Sequence, residues 1–133
     1  MATRFLMEER EAQQLSPLQM AYMGDSVWEI IVRTRLISQR KNVKHMHREC
    51  IDWVNAAAQA RAAEKIRPLM TEKENDLFLR GRNAHPHHAA PRHQDPGDYA
   101  EATGFEAVLG YLYLTGQDDR IEQFANAILE EAP

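Results

Sequence analysis

Apolar residues recur at three- and four-residue spacing through most of the chain, with no convincing two-residue alternation. This pattern predicts an all-α protein with about six helices. Ser16-Pro17-Leu18-Gln19 has the form of a capping box, with proline at the first helical position, where its missing N–H costs nothing. The helix it opens is expected to run to about Ser38. A shorter helix is expected over Val43 to Cys50, and a third, rich in alanine, from Ile51 to Ile66, ended by Pro68. Thr71-Glu72-Lys73-Glu74 is a second capping box, whose helix should fade near Gly81. Asp95-Pro96 starts a helix expected to end near Thr115, with Gly116 as its cap. A last helix, Asp118 to Glu130, would bury Ile121, Phe124, Ala125 and Ile128. Sequential helices with short connections make a single helical domain over residues 15–131. Residues 1–14 form a polar N-terminal tail open to disorder.

Two acids break the apolar pattern. Asp25 lies within the run Leu18 to Ile31, and Glu106 within Phe105-Glu106-Ala107-Val108-Leu109-Gly110-Tyr111-Leu112-Tyr113-Leu114. The second run is apolar on every side, so most of that helix must be covered. A carboxylate there is desolvated unless it is paired, protonated or bound to a metal. Gly24 adjoins Asp25, and Gly110 lies one turn beyond Glu106. Glycine inside a helix costs about 1 kcal/mol relative to alanine, so its presence points to close approach of another helix. Two helices touching at these glycines would bring the acids together. Like charges at that range need a cation between them, or one must keep its proton. A divalent metal resolves the conflict, and Mg²⁺ takes one or two carboxylates with waters and substrate phosphate. The alternative is a buried salt bridge from each acid, to Arg33 or Arg61, and patterning alone leaves both open. Glu29 reads as a peripheral or pairing residue.

The first long helix carries more apolar surface than one core stripe requires: Leu18, Met20, Met23, Val27, Trp28, Ile30 and Ile31. Either a twofold copy of the chain covers the surplus, giving a homodimer, or the other helices of the same chain do.

The chain has 133 residues, enough for one domain with one core. Its single cysteine, Cys50, excludes an intramolecular disulfide framework and a cysteine-rich zinc site, and reads as a packed thiol. The residues before Gln14 lack the apolar core of a signal peptide, and no apolar run approaches the roughly 18 residues of a membrane span. A cytoplasmic location without membrane contact is the expectation. The net charge of −4 argues against a polyanionic partner, but its distribution does not. No acid stands between Glu29 and Glu49, where Arg33, Arg35, Arg40, Lys41, Lys44 and Arg48 fall. None stands between Asp76 and Asp95, where Arg80, Arg82, Arg92 and the histidines His85, His87, His88 and His93 fall. Segregation of this kind suits a polyanion-binding face. The stretch from Asn83 to Gln94, with Pro86 and Pro91, reads as a long loop, functional or disordered.

Three segments carry a family resemblance. Tyr22-Met23-Gly24-Asp25-Ser26-Val27 resembles the end of the ribonuclease III signature segment. Glu106-Ala107-Val108-Leu109-Gly110-Tyr111-Leu112 resembles that family's second acidic segment. Between them, Arg80-Gly81-Arg82-Asn83-Ala84 resembles the characteristic block of the Mini-ribonuclease III branch. The resemblance spans about Leu15 to Leu129.

It implies the all-helical ribonuclease III fold as a homodimer, without a separate double-stranded RNA-binding domain. It also implies Mg²⁺-dependent endonucleolytic cleavage of both strands of RNA duplexes, with Mn²⁺ as a substitute metal, in maturation of the large-subunit (23S) ribosomal RNA precursor. Carried over residue by residue, Asp25 and Glu106 are the metal-binding catalytic acids. Ordinary ribonuclease III has a further glutamate where this chain has Ala21, and an aspartate where it has Thr103. The Mini branch shares this reduced set, which leaves more of the coordination to water. RNA contacts are expected from Arg80, Arg82 and Asn83, from His85, His87 and His88 in the loop, and from Lys44, His47 and Arg48. For Arg82 the bland alternative is a structural salt bridge. The loop histidines fit a pH-dependent phosphate contact better than a transition-metal site, because a proline-broken loop fixes no ligand geometry. One rival reading is a catalytically silent helical dimer that binds structured RNA or a ribosomal partner. Another, a helical nucleotide pyrophosphohydrolase, needs clustered E-x-x-E acids that the chain lacks outside Glu8 and Glu11.

Overall fold

Capping chemistry sets most helix boundaries in the computed structural model, which describes residues 5–84 and 94–129. Ser16 accepts from the backbone N–H of Gln19 (3.1 Å), and the Gln19 side chain accepts from the Ser16 N–H (2.9 Å). That reciprocal cap, with Pro17 at the first position, opens α2 (Pro17–Ser38). A short α1 (Glu9–Ala12) precedes it, inside the stretch expected to be a tail. There the Met7 N–H donates to the Leu114 carbonyl (2.7 Å), and Ala12 is fully buried. Beyond α2 come α3 (Val43–Val54), α4 (Ala56–Ile66), a 3₁₀ turn over Arg67–Leu69, α5 (Glu72–Arg82), α6 (Pro96–Leu114) and α7 (Asp118–Leu129). The six longer helices are those expected, and no strand occurs among the described residues.

One boundary differs from expectation. The first of the two central helices runs on to Val54, and the break falls at Asn55, whose extended backbone (ψ 162°) cannot continue a helix. The Asn55 side chain donates to the Ile51 carbonyl (3.0 Å) and accepts from the Ala58 N–H (2.8 Å). It thus closes α3 and opens α4 at once.

α6 is the axis of the fold. Helices α2, α4, α5 and α7 all pack on it, and from Ala102 to Leu112 every residue except Glu106 is buried. Trp28 meets Phe105 edge-on (5.1 Å between ring centres, 88° between planes), and its indole N–H donates to the Trp53 carbonyl (3.1 Å). α5 crosses α6 at Gly81 and Gly104, where an added Cβ on either would press on the facing helix. A polar staple joins α5 to α7. Glu74, 4% exposed, accepts from the Thr71 N–H through one carboxylate oxygen and from two nitrogens of Arg120 (2.9 and 2.6 Å).

Candidate active site

Asp25 and Glu106 come from the two helices in closest contact. At the α2–α6 crossing, a Cβ on Gly24 would overlap the carbonyl of Glu106, and one on Gly110 would overlap that of Met20. Only glycine permits this approach, because any side chain would meet backbone rather than a movable side-chain tip. The chain therefore accepts two helix-weakening residues, and in return the carboxylates on either side of the crossing meet.

Asp25 is exposed, while Glu106 is half-buried beside it, the two carboxyls within hydrogen-bonding reach. Burial pushes the Glu106 carboxyl up to about 8, and the neighbouring Asp25 carboxylate pushes it the same way. The Gln59 amide opposes the shift, donating to Glu106 Oε2 at 3.4 Å. Among the described residues no salt bridge reaches either acid. Arg33 instead binds Glu29 (3.1 Å) on its own helix, and Arg61 lies with Lys65 beside a pocket lined by Asp52 and Trp53. Of the two ways to settle the acids, acid against acid is the arrangement found.

No cluster of three or more histidine, cysteine or acidic side chains capable of holding a metal occurs among the described residues. The donor set is a carboxylate pair, one member open to solvent and the other short of a counter-charge. That fits a hard divalent ion that keeps several waters and takes its remaining ligands from a phosphate. It does not fit a closed structural site.

The other expected site residues are spread around this pair. Arg80 stands near the end of α5 and donates to the Leu15 carbonyl (3.5 Å). Arg82 pairs with Glu101 of α6 (3.7 Å), a structural salt bridge in which both side chains are about one-third exposed. Asn83 caps α5 and is exposed. Lys44, His47 and Arg48 are exposed on α3, where neighbouring His45 and Lys41 both bind Glu49 (2.7 and 2.5 Å). None of these cations forms an ion pair with Asp25 or Glu106 among the described residues. His85, His87, His88 and His93 lie outside the described residues. Cys50 is buried, and burial raises its thiol above the usual range, in keeping with a packed, inert sulfur.

Sequence reasoning missed Gln59. The only signal is a long polar side chain in an alanine-rich run, Ala56 to Ala63, which equally describes a solvated position. Of the apolar residues named on α2, Met20, Val27 and Trp28 are buried in the chain's own core, while Leu18 and Ile30 are left exposed. Tyr22 is 82% exposed, and Ile30, 65% exposed, lines a groove of about 410 Å³ with Met23, Val27, Ile31, Tyr113, Ile121 and Ala125 among others.

Comparison with known proteins bears on this geometry. A ribonuclease III domain model matches residues 18–117. A protein named Mini-ribonuclease 3 from Symbiobacterium thermophilum is 45% identical over 114 residues, covering 85% of this chain and 87% of its own. One of the same name from Clostridium tetani is 39% identical over 130 residues, covering 94% of this chain and 85% of its own. A crystal structure of a Fusobacterium nucleatum protein superposes with a TM-score of 0.83 at 25% identity, over 93% of this chain and 98% of that one.

Proposed function

The chain belongs to the ribonuclease III family and is an endoribonuclease, and from that premise we propose that it cuts double-stranded RNA as a Mg²⁺-dependent homodimer. The observation that carries the reading is the meeting of Asp25 and Glu106 across the glycine-lined helix crossing, with no cationic side chain among the described residues to neutralise them. Asp25 and Glu106 would hold the metal directly or through water, and Mn²⁺, with the same charge and a taste for oxygen ligands, can substitute. The chemistry it would supply there is polarisation of the scissile phosphate, a lower pKa for an attacking water and stabilisation of the departing 3′ oxygen.

The protein's own groups set up the rest. Glu106 must shed a proton to act as an anionic ligand, and burial beside Asp25 brings that change to about pH 8. Arg80, Arg82 and Asn83 at the end of α5, with Lys44, His47 and Arg48 on α3, are assigned to phosphate and 2′-hydroxyl contacts. These contacts are how A-form RNA is recognised. His85, His87 and His88 are assigned pH-dependent phosphate contacts. A second copy of the chain is assigned to the exposed face of α2 around Tyr22 and Ile30, which would set one acid pair near each RNA strand. No helix among the described residues is long and apolar enough to cross a membrane. We place the enzyme in the cytoplasm, acting on the 23S ribosomal RNA precursor.

The test is incubation of the pure protein with labelled duplex RNA, in Mg²⁺ or EDTA, beside Asp25→Asn and with single-stranded RNA and DNA controls. Duplex cleavage that needs both Mg²⁺ and Asp25 is the expected result. Binding without cleavage would overturn it in favour of a silent RNA-binding dimer, and near-parental cleavage by Asp25→Asn would remove the acid pair from the chemistry.

A further inference from the structure

Among the described residues, one side chain besides Asp25 reaches the Glu106 carboxylate, and it comes from a third helix. Gln59 is 2% exposed, on a face of α4 whose other buried residues are Ala58, Ala60, Ala62, Ala63 and Ile66. A primary amide in such surroundings is unfavourable unless its N–H groups find acceptors. Both are used. Gln59 Nε2 donates to the carbonyl of Val54 (3.2 Å) and to Glu106 Oε2 (3.4 Å).

The first of these bonds gives the second its meaning. Val54 is the last residue of α3, and helix-terminal carbonyls lack partners within their own helix. With Asn55 holding the α3–α4 junction, the Val54 carbonyl is a fixed backbone acceptor. One N–H of the amide is committed to it, so the other has a single direction left, and that direction meets Glu106. A glutamate carboxylate on its own is poorly oriented, because the last torsion of the side chain is soft. Holding one oxygen removes that freedom. An amide N–H can only donate, so Gln59 binds the ionised carboxylate more strongly than the protonated acid.

We propose that Gln59 is a positioning residue for Glu106, clamping Oε2 to a backbone-anchored amide so that the carboxylate presents a fixed edge towards Asp25 and the metal they share. The inference rests on the reading of the acid pair as the metal site of the nuclease.

The experiment compares the parent with Gln59→Met, which keeps length and volume but loses the donor, and with Gln59→Leu. Two readouts are taken: kcat and KM on a duplex RNA, and the Mg²⁺ concentration giving half the metal-induced rise in melting temperature without RNA. Loss of an outer partner of a metal ligand typically costs 10–100-fold. The expected result is a kcat lower by about 10–100-fold with KM within about twofold, and a Mg²⁺ midpoint raised about fivefold or more. Folded variants with kcat and Mg²⁺ midpoint within about twofold of the parent would overturn the proposal. So would failure of both variants to fold, which would make Gln59 a packing residue. A parent that neither cleaves nor shows an Asp25-dependent Mg²⁺ shift fails the nuclease reading itself and takes this inference with it. A working parent with indifferent Gln59 variants fails this inference alone.

Discussion

Glu74 and Glu106 are both glutamates drawn out of water by the packing of this domain, and they have opposite surroundings. Glu74 is held by two nitrogens of Arg120 and by the Thr71 N–H at the start of α5, and these bonds outweigh burial and keep its carboxyl below the usual range. Glu106 faces another acid, and its carboxyl is pushed up to about 8. The first arrangement is complete as it stands and ties α5 to α7. The second is complete only with a positive charge or a proton added. Within one small fold, a buried acid with its cation is architecture, and a buried acid facing an acid is unfinished chemistry.

Exchanging the two glutamates for neutral amides separates these roles. Glu106→Gln should reduce Mg²⁺-dependent duplex cleavage by about a thousandfold or more while leaving RNA binding within a fewfold, because it removes a ligand and not a contact. It should also raise the melting temperature of the metal-free protein at pH 8 by roughly 5 °C, since the partly ionised, half-buried Glu106 no longer faces Asp25. A variant that melts lower and cleaves normally would reverse the assignment of the two glutamates.

Arg120→Ala should do the converse. It strands the buried Glu74 carboxylate, and the loss should cost about 2–3 kcal/mol, less than the roughly 3–5 kcal/mol of a fully buried pair because the Arg120 side chain is 27% exposed. Denaturant melts should show that loss, and kcat per folded molecule should stay within about twofold. A catalytic defect without a stability defect would mean that the staple serves the acid pair after all.

Smaller still is the contrast in pH dependence. The folded value of Glu106 lies above the ordinary carboxyl value of 4.5, so its contribution to stability is fully present below about pH 4.5 and is lost as pH rises towards about 8. The folded value of Glu74 is lowered, so its contribution is present above about 4.5 and fades as pH falls through the folded value. Metal-free melts of the parent should therefore decline between pH 6 and 8, and saturating Mg²⁺ should flatten that limb by competing with the proton at Glu106. A decline untouched by Mg²⁺ would detach the metal from Glu106.

Much of the fold and the acid pair itself are legible in the amino-acid sequence, and the reasons are local. Ser16 and Thr71 announce their helices through reciprocal caps that involve only four consecutive residues each. Asp25 and Glu106 stand out because a carboxylate close to a glycine inside an apolar helix weakens both packing and helix, a double cost that points to a use. What escaped depends on contacts distant in sequence. Nothing in the alanine-rich run shows that Asn55, rather than a residue before it, divides two helices, or that Gln59 points inward. The four-residue α1 is too short and polar to form by propensity; it forms where the preceding Met7 N–H is bonded to the Leu114 carbonyl, Glu9 pairs with Lys73 of α5, and Ala12 is buried in the core. The Glu74 cap is visible in the sequence, but its pairing with Arg120 of α7 is not.

The Gly24–Gly110 contact has a consequence for the life of the protein before it is finished. Asp25 emerges from the ribosome early, on α2, and Glu106 late, on α6, so neither half of the chain holds both acids of the pair. On the proposed reading, the growing polypeptide cannot cut RNA until α6 has been synthesised and has seated itself backbone to backbone against α2. On that reading, a chain made on a machine built of RNA would acquire its cutting edge only as it finishes folding.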